Sequence, residues 1–400
     1  MNVLFITLSS RININQSGIY SDLMRCFTAH GHSVYIVSPV ERKYNTPTSL
    51  IEEDTVYHLH VRTLNIFKTN IIEKGLATLL LESQFCRAID QFLVDVKFDL
   101  VLYSTPPITF ANVVKSVKKK NPNVLSYLLL KDIFPQNAVD LGMFSKNGII
   151  YRYFRRKENQ LYKLSDYIGC MSPANVKFVL THNPYIERSR VEIAPNSIEI
   201  LPAEQLNSLE REEVLAKYHI PADKPIFIYG GNLGKPQGIP FLIQCLEANK
   251  LRSDCHFVIV GNGTEYGKLK NWYDSKKPQN TTLLQALPKE EYDQLVQACN
   301  VGLIFLDYNF IIPNFPARLL SYLQYSMPVI AATDPNTDIG TIAEKNKFGM
   351  ACLSNNVAAF TACVDKMLQS DIAEMGQNAY KFLYDNYSVE HTYNAIMQHF

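Results

Sequence analysis

Short apolar runs punctuated by polar loops recur along the first half of the chain. Asn2–Thr7 (NVLFIT), Ser33–Ser38 (SVYIVS), Phe98–Tyr103 (FDLVLY), Leu125–Leu130 (LSYLLL) and Tyr167–Met171 (YIGCM) read as strands. Helical stretches separate them, notably Gly18–His30 and Thr109–Lys119. Strands with few polar positions, alternating with helices, predict a parallel sheet covered on both faces. Around Ala194–Glu210 the pattern loosens at Pro195 and Pro202, and then a second series begins. Pro225–Tyr229 (PIFIY), His256–Val260 (HFVIV), Thr281–Leu284 (TTLL), Val301–Leu306 (VGLIFL) and Pro328–Ala332 (PVIAA) are its strands. Two doubly wound, Rossmann-like α/β units with one linker are therefore expected, with the division near residue 200. Ligands in such sheets sit beyond the carboxyl ends of the strands, so the loops there are the places to search, and a cleft between two such units is the expected site.

Composition narrows this only a little. A chain of 400 residues exceeds one ordinary core, in agreement with two domains. With 39 Lys and Arg against 38 Asp and Glu, the chain lacks the strong basic excess expected of a nucleic-acid binder. The eight cysteines show no CxxC pair, which predicts reduced core residues and no metal. The N-terminal MNVLFITLSS reads as a first strand and not a signal peptide, and no apolar run reaches the roughly 18 residues of a membrane span. A cytoplasmic location is expected.

Candidate chemistry lies in four loops. Tyr229-Gly230-Gly231-Asn232-Leu233-Gly234-Lys235-Pro236-Gln237-Gly238 follows one strand and precedes a helix. Glycines admit close backbone approach, helix-start N–H groups favour a diphosphate, and Lys235 adds a positive charge. Gly261-Asn262-Gly263-Thr264-Glu265-Tyr266-Gly267 is one residue too long for GxGxxG, so packing explains it as well as a ligand does. Arg318 opens a helix after a proline-containing loop; a cation there opposes the helix dipole, so an anionic ligand explains it better. Asp132, just after a strand, is a candidate for acid/base work or for holding an acceptor hydroxyl, or else a turn cap. Ser17-Gly18 opens a helix at which a phosphate could also rest. With no DxD pair present, positive charge and helix starts must stabilise a leaving diphosphate without a metal ion.

In their order and spacing these segments resemble the retaining family 4 glycosyltransferases of GT-B fold, in the bacterial O-antigen, capsule and exopolysaccharide branch. The resemblance rests on the Gly18 entry, Asp132-Ile133-Phe134-Pro135, Ala194-Pro195-Asn196-Ser197, the Gly231–Gly238 loop, Val260-Gly261-Asn262-Gly263 and Pro316-Ala317-Arg318-Leu319-Leu320 with Pro328-Val329-Ile330-Ala331. It implies two facing domains: an acceptor domain over 1–200, rejoined by a C-terminal helix over 386–400, and a donor domain over 201–385. It also implies a nucleotide-diphosphate sugar, UDP-linked and N-acetylated, contacted by Gly231, Asn232, Gly234, Lys235, Gly261, Gly263, Arg318, Leu319 and Ser321. No cofactor is implied. The acceptor would be a lipid-diphosphate-linked saccharide reached by peripheral contact with a membrane. The family's loop places basic residues where Asn232 and Gln237 stand, and its paired acidic positions hold Pro313 and Ser321 here.

Two stretches mix basic and apolar residues in a way that suits a lipid surface or an ordinary amphipathic helix. They are Leu64–Leu81, including Ile66, Phe67, Lys68, Ile71, Ile72, Lys74 and Leu76, and Ile149–Lys157 (IIYRYFRRK). A sugar-nucleotide epimerase of the same fold and an inactive nucleotide-sugar-binding partner are the rival readings.

Overall fold

The computed structural model describes residues 1–9, 12–66, 69–202 and 206–400, with Ile71 and Ile72 described by backbone alone. The chain forms two compact units. Met1–Glu199 and Val389–Phe400 make the first, and Ile200–Ser388 make the second.

In unit 1 the strands are Asn2–Ile6 (β1), Ser33–Glu41 (β2), Ser49–Glu53 (β3), Val56–Thr63 (β4), Leu100–Ser104 (β5), Leu125–Leu130 (β6), Tyr167–Cys170 (β7) and Val191–Ile193 (β8). They form one sheet in the order β3-β4-β2-β1-β5-β6-β7-β8. All neighbours pair parallel except β3 and β4, which are antiparallel. Val3, Leu4, Phe5 and Ile6 are all inaccessible to solvent, as a central strand covered on both faces requires. Each such side chain contributes about 1.5–3 kcal/mol of burial. Val389, Tyr393 and Ile396, from the end of the chain, pack into the same core as Val3, Phe5, Phe27 and Ile36.

Unit 2 holds Ile226–Asn232 (β9), His256–Asn262 (β10), Thr281–Leu284 (β11), Val301–Phe305 (β12), Val329–Thr333 (β13) and Gly349–Leu353 (β14). Its wholly parallel sheet runs β11-β10-β9-β12-β13-β14. Strand order reverses between β9 and β12, the place where open α/β sheets bind ligands. The loops leaving those two strands are the glycine loop and the segment leading to Arg318.

The two stretches singled out for a lipid surface are both helical in part. Helix Ile71–Phe92 buries Ala77, Leu81, Phe85, Ala88 and Ile89 and exposes Leu76, Leu79 and Leu80. Phe67 and Lys68 lie outside the described residues, as do the side chains of Ile71 and Ile72, whereas Ile66 is buried. Helix Ile149–Leu164 leaves Ile149 85% and Ile150 55% exposed beside exposed Arg152 and Arg156. Of its other cations, Arg155 pairs with Glu158, Lys157 with Glu82 at 2.7 Å, and Lys163 stands over the Tyr185 ring at 5.3 Å. Among the described residues, no helix is long and apolar enough to cross a membrane.

Candidate functional site

The best-formed site lies in unit 2, at the carboxyl ends of β9, β10 and β12. β9 and β10 stay paired to their last residues, with Gly231 opposite Gly261 and Asn232 opposite Asn262. That brings two glycine turns into backbone contact. A Cβ on Gly261, which has φ +155°, would lie 1.8 Å from the Gly231 carbonyl oxygen, and one on Gly263 would lie 2.3 Å from the Leu233 backbone. Both glycines are thus required by packing. The Leu233 amide donates to Asn262 O, and the Glu265 amide to Leu233 O, each at 2.9 Å.

The glycine loop also touches the loop after β12: the Asp307 amide donates to Pro236 O at 2.9 Å. Gly238, at φ +56°, faces Leu306 O and Asp307 so closely that a Cβ would meet them at 3.1–3.3 Å. Gly231 (φ +118°) and Asn232 are exposed at the loop's edge, and Asn232 Nδ2 donates to Gln237 Oε1 at 3.2 Å. Gly234 is buried and Lys235 exposed, the latter opening the short turn Lys235–Gln237.

Arg318 is the first residue of helix Arg318–Gln324. Its guanidinium carbon lies 4.3 Å from the centroid of the Tyr229 ring and 3.9 Å from where a Gly231 Cβ would stand. Arginine does not give up its proton in proteins, so the charge is permanent. Its Nη1 is buried and meets no hydrogen-bond partner among the described residues. An enclosed cationic donor without a partner is costly, and an anion at the glycine loop would satisfy it.

Tyrosines set this position. Tyr322, in the same helix and inaccessible to solvent, accepts from the Gly230 amide at 3.2 Å and donates to Ile228 O at 3.2 Å. It also fills the space above Gly302, where a Cβ would meet its ring at 2.3 Å. The helix is thereby held against β9 and β12. Tyr292 covers Gly230, with its hydroxyl 2.0 Å from where a Cβ would stand. Sequence reasoning missed all three tyrosines, because an aromatic residue at a strand end or in a buried helix reads as core.

Two expected contacts are corrected. The Leu319 side chain is wholly in the core, and its amide already donates to Pro316 O at 3.2 Å, so it has nothing left for a ligand. Gly18 caps helix Ile19–Ala29, yet its amide donates to Asp22 Oδ1 at 2.8 Å. Asp22 is 1% exposed and also binds Arg25 and the Glu199 amide. A buried carboxylate therefore occupies the helix start where a phosphate was expected, and Ser17 stands exposed outside it. Ser321 is half-buried within its helix, and Pro313 is buried.

In unit 1, Asp132 follows β6 as expected. It caps no helix; its amide and carbonyl both bind Thr105 Oγ1. Burial alone raises its carboxyl pKa, and the group bears on Tyr20, whose hydroxyl is itself raised chiefly by burial. Beside it Lys131, which sequence reasoning passed over, donates to Ala194 O at 3.3 Å. Desolvation pulls that ammonium down to about 7.

All eight cysteines are free. One grouping that could hold a metal ion occurs among the described residues: Cys26, His30 and Glu390. Local spacing could not reveal it, since Glu390 stands at the far end of the chain.

Known proteins share this fold and part of this sequence. Residues 210–382, somewhat under half of the chain, match the family described as Glycosyl transferases group 1. The probable glycosyltransferase WbjE of Pseudomonas aeruginosa is 24% identical over 263 residues, 65% of this chain and 64% of its own length. The putative colanic acid biosynthesis glycosyl transferase WcaI of Escherichia coli (strain K12) is 23% identical over 158 residues, 38% of this chain and 37% of its own. The matched stretches thus span less than two thirds of either relative. The structure of Anabaena Alr3699/HepE in complex with UDP superposes with a TM-score of 0.71 at 13% identity, covering all of this chain and 99% of that one. The fold is that of the GT-B structures, and the stretch that resembles the glycosyl transferases of group 1 is the second unit.

Proposed function

We propose that the protein transfers a sugar, an N-acetylated amino sugar, from a UDP-linked donor to a lipid-diphosphate-linked saccharide in bacterial surface polysaccharide assembly. The observation that carries this reading is the buried, unpartnered Arg318 Nη1 beside the Gly231 loop. A diphosphate at that place would give the cation its anion and the exposed glycine edge its acceptor. The complex of HepE with UDP and the naming of WcaI as a putative colanic acid biosynthesis enzyme support the donor and the pathway class.

In this reading the C1–oxygen bond to the diphosphate breaks and a new bond to the acceptor oxygen forms on the same face. The acceptor proton passes to the departing diphosphate. Arg318 and Lys235 stabilise the charge that develops there, with no metal ion or cofactor. Asp132, whose carboxyl is pushed above the usual range by burial, orients the acceptor hydroxyl. Exposed Ile149 and Ile150, with Arg152 and Arg156, suit peripheral contact with anionic lipid.

The test is incubation with UDP-, GDP- and dTDP-sugars plus a lipid-diphosphate sugar in EDTA, read by mass spectrometry. A single sugar increment on the lipid, lost in Arg318→Ala and Lys235→Ala, is expected. Donor consumed with the lipid unmodified would replace transfer by epimerisation or hydrolysis. Donor bound but never turned over would point to an inactive partner.

A further inference from the structure

Unit 1 carries a second cluster of chemically competent side chains, at the far end of the helix that Gly18 opens. Cys26 and His30 stand one turn apart at the end of helix Ile19–Ala29, and Glu390 lies in the first turn of helix Val389–Met397. Cys26 Sγ is 3.5 Å from Glu390 Oε1 and 3.9 Å from His30 Nδ1, and His30 Nε2 is 3.7 Å from Glu390 Oε2. One ligand atom from each residue lies within 4.8 Å of the others. A tetrahedral ion with sulfur at about 2.3 Å and oxygen or nitrogen at about 2.0–2.1 Å sets its ligand atoms roughly 3.3–3.6 Å apart. The sulfur–carboxylate pair is already at that spacing. The Glu390 side chain, 55% exposed, has room to close the remainder.

A second observation concerns the imidazole. His30 Nδ1 lies 2.9 Å from the Cys26 carbonyl oxygen, which fixes the proton on Nδ1 and leaves the lone pair on Nε2, the nitrogen nearer Glu390. The ring is stacked on Tyr393 at 4.1 Å and 21°. A histidine ligand characteristically donates its other N–H to a backbone carbonyl in this way. Arg25 engages the neighbouring Asp22 and Glu199 carboxylates, and the Glu390 carboxylate is the acidic group that faces the thiol and the imidazole directly.

From this geometry we infer that Cys26, His30 and Glu390 bind one zinc-class divalent cation, with water in the fourth position, and that the ion fastens the C-terminal helix to the helix of residues 19–29. Thiolate, imidazole and carboxylate together select a borderline-soft ion over magnesium, which prefers oxygen ligands in octahedral array. On binding, the Cys26 S–H bond exchanges its proton for the cation and the proton passes to the buffer. The inference is independent of the proposed transfer reaction, because no donor-loop residue takes part.

The experiment uses the full chain, reduced and stripped with chelator, and titrates it with cobalt(II) as the optical probe and then zinc. Expected are one equivalent of cobalt, a thiolate-to-cobalt charge-transfer band, its displacement by zinc, and a rise in Tm that magnesium does not reproduce. Glu390→Gln, at an exposed position that the fold tolerates, should weaken binding by about tenfold or more. Cys26→Ser should remove the band, and Cys86→Ser should retain it. Absence of the band, its survival in Cys26→Ser, or unchanged affinity in Glu390→Gln would overturn the assignment.

Discussion

The Arg318 guanidinium stacks on the Tyr229 ring at 4.3 Å while its Nη1 is left buried without a partner. The ring lies under the cation, and Nη1 is the buried donor left for an anion. Because the guanidinium lies 3.9 Å from where a Gly231 Cβ would stand, the cation and the exposed edge of the glycine loop are adjacent. Removing the guanidinium should weaken UDP by about 1.5–3 kcal/mol, roughly 10- to 150-fold. Isothermal titration of Arg318→Ala with UDP checks this. Arg318→Lys should recover only part of the loss, since an ammonium neither stacks as well nor presents a planar fork.

The two glycine turns make a paired prediction. Gly261→Ala places a Cβ 1.8 Å from the Gly231 oxygen at a φ of +155°, and should cost roughly 2–5 kcal/mol. Gly267, within helix Tyr266–Lys276, has nothing within 4 Å of a Cβ, so Gly267→Ala should stabilise by up to about 1 kcal/mol. Urea unfolding of both variants against the parent separates a glycine required by packing from one that is merely present.

Lys131 predicts a pH dependence of stability. Its ammonium titrates at about 7 when folded and at its usual value near 10.5 when unfolded. The unfolded chain therefore binds more protons across that window, and stability rises with pH through it. Below about pH 7 the full cost of the buried charge is present. Lys131→Met should therefore be more stable than the parent at pH 6, by a few kcal/mol. The advantage should shrink steadily toward pH 10, as followed by urea midpoints at several pH values.

Chelation should separate two roles. Initial transfer rates in EDTA should equal those in magnesium, because the cations proposed at the diphosphate are side chains. Chelation should nonetheless lower Tm, through release of the ion bound by Cys26, His30 and Glu390. A rate abolished by EDTA and restored by magnesium would refute the metal-free transfer.

Much of the α/β plan can be read from alternating apolar runs, and Leu125–Leu130 and Thr281–Leu284 form strands at the bounds predicted. Three of the missed strands have specific causes. In Val56–Thr63 the polar His58 is 6% exposed, so a buried imidazole disguised a core position. Gly349–Leu353 lacks β-branched residues and owes its form to pairing with Val329–Thr333. Ser49–Glu53 is an exposed antiparallel edge with little apolar signal. In the site, Arg318 was legible because a cation at a helix start is electrostatically out of place. Tyr322 was not, because its hydroxyl bonds depend on β9 coming alongside. Asp22 four residues after Gly18 was visible in the sequence, but that it turns back to occupy the Gly18 amide is a matter of geometry.

The sharing of one core by Phe5, Phe27, Val389 and Tyr393 has a consequence for biosynthesis. The second unit is one uninterrupted stretch, Ile200–Ser388, whereas the first lacks part of its interior until the last dozen residues are made. On the ribosome the usual N-to-C order is therefore inverted: the later unit can close while the earlier one waits. At about 5–20 residues per second that delay is on the order of ten seconds or longer. Throughout it the apolar surface destined for Val389, Tyr393 and Ile396 is open to chaperones, and a premature stop near residue 388 would release a chain with one finished unit and one that cannot be completed.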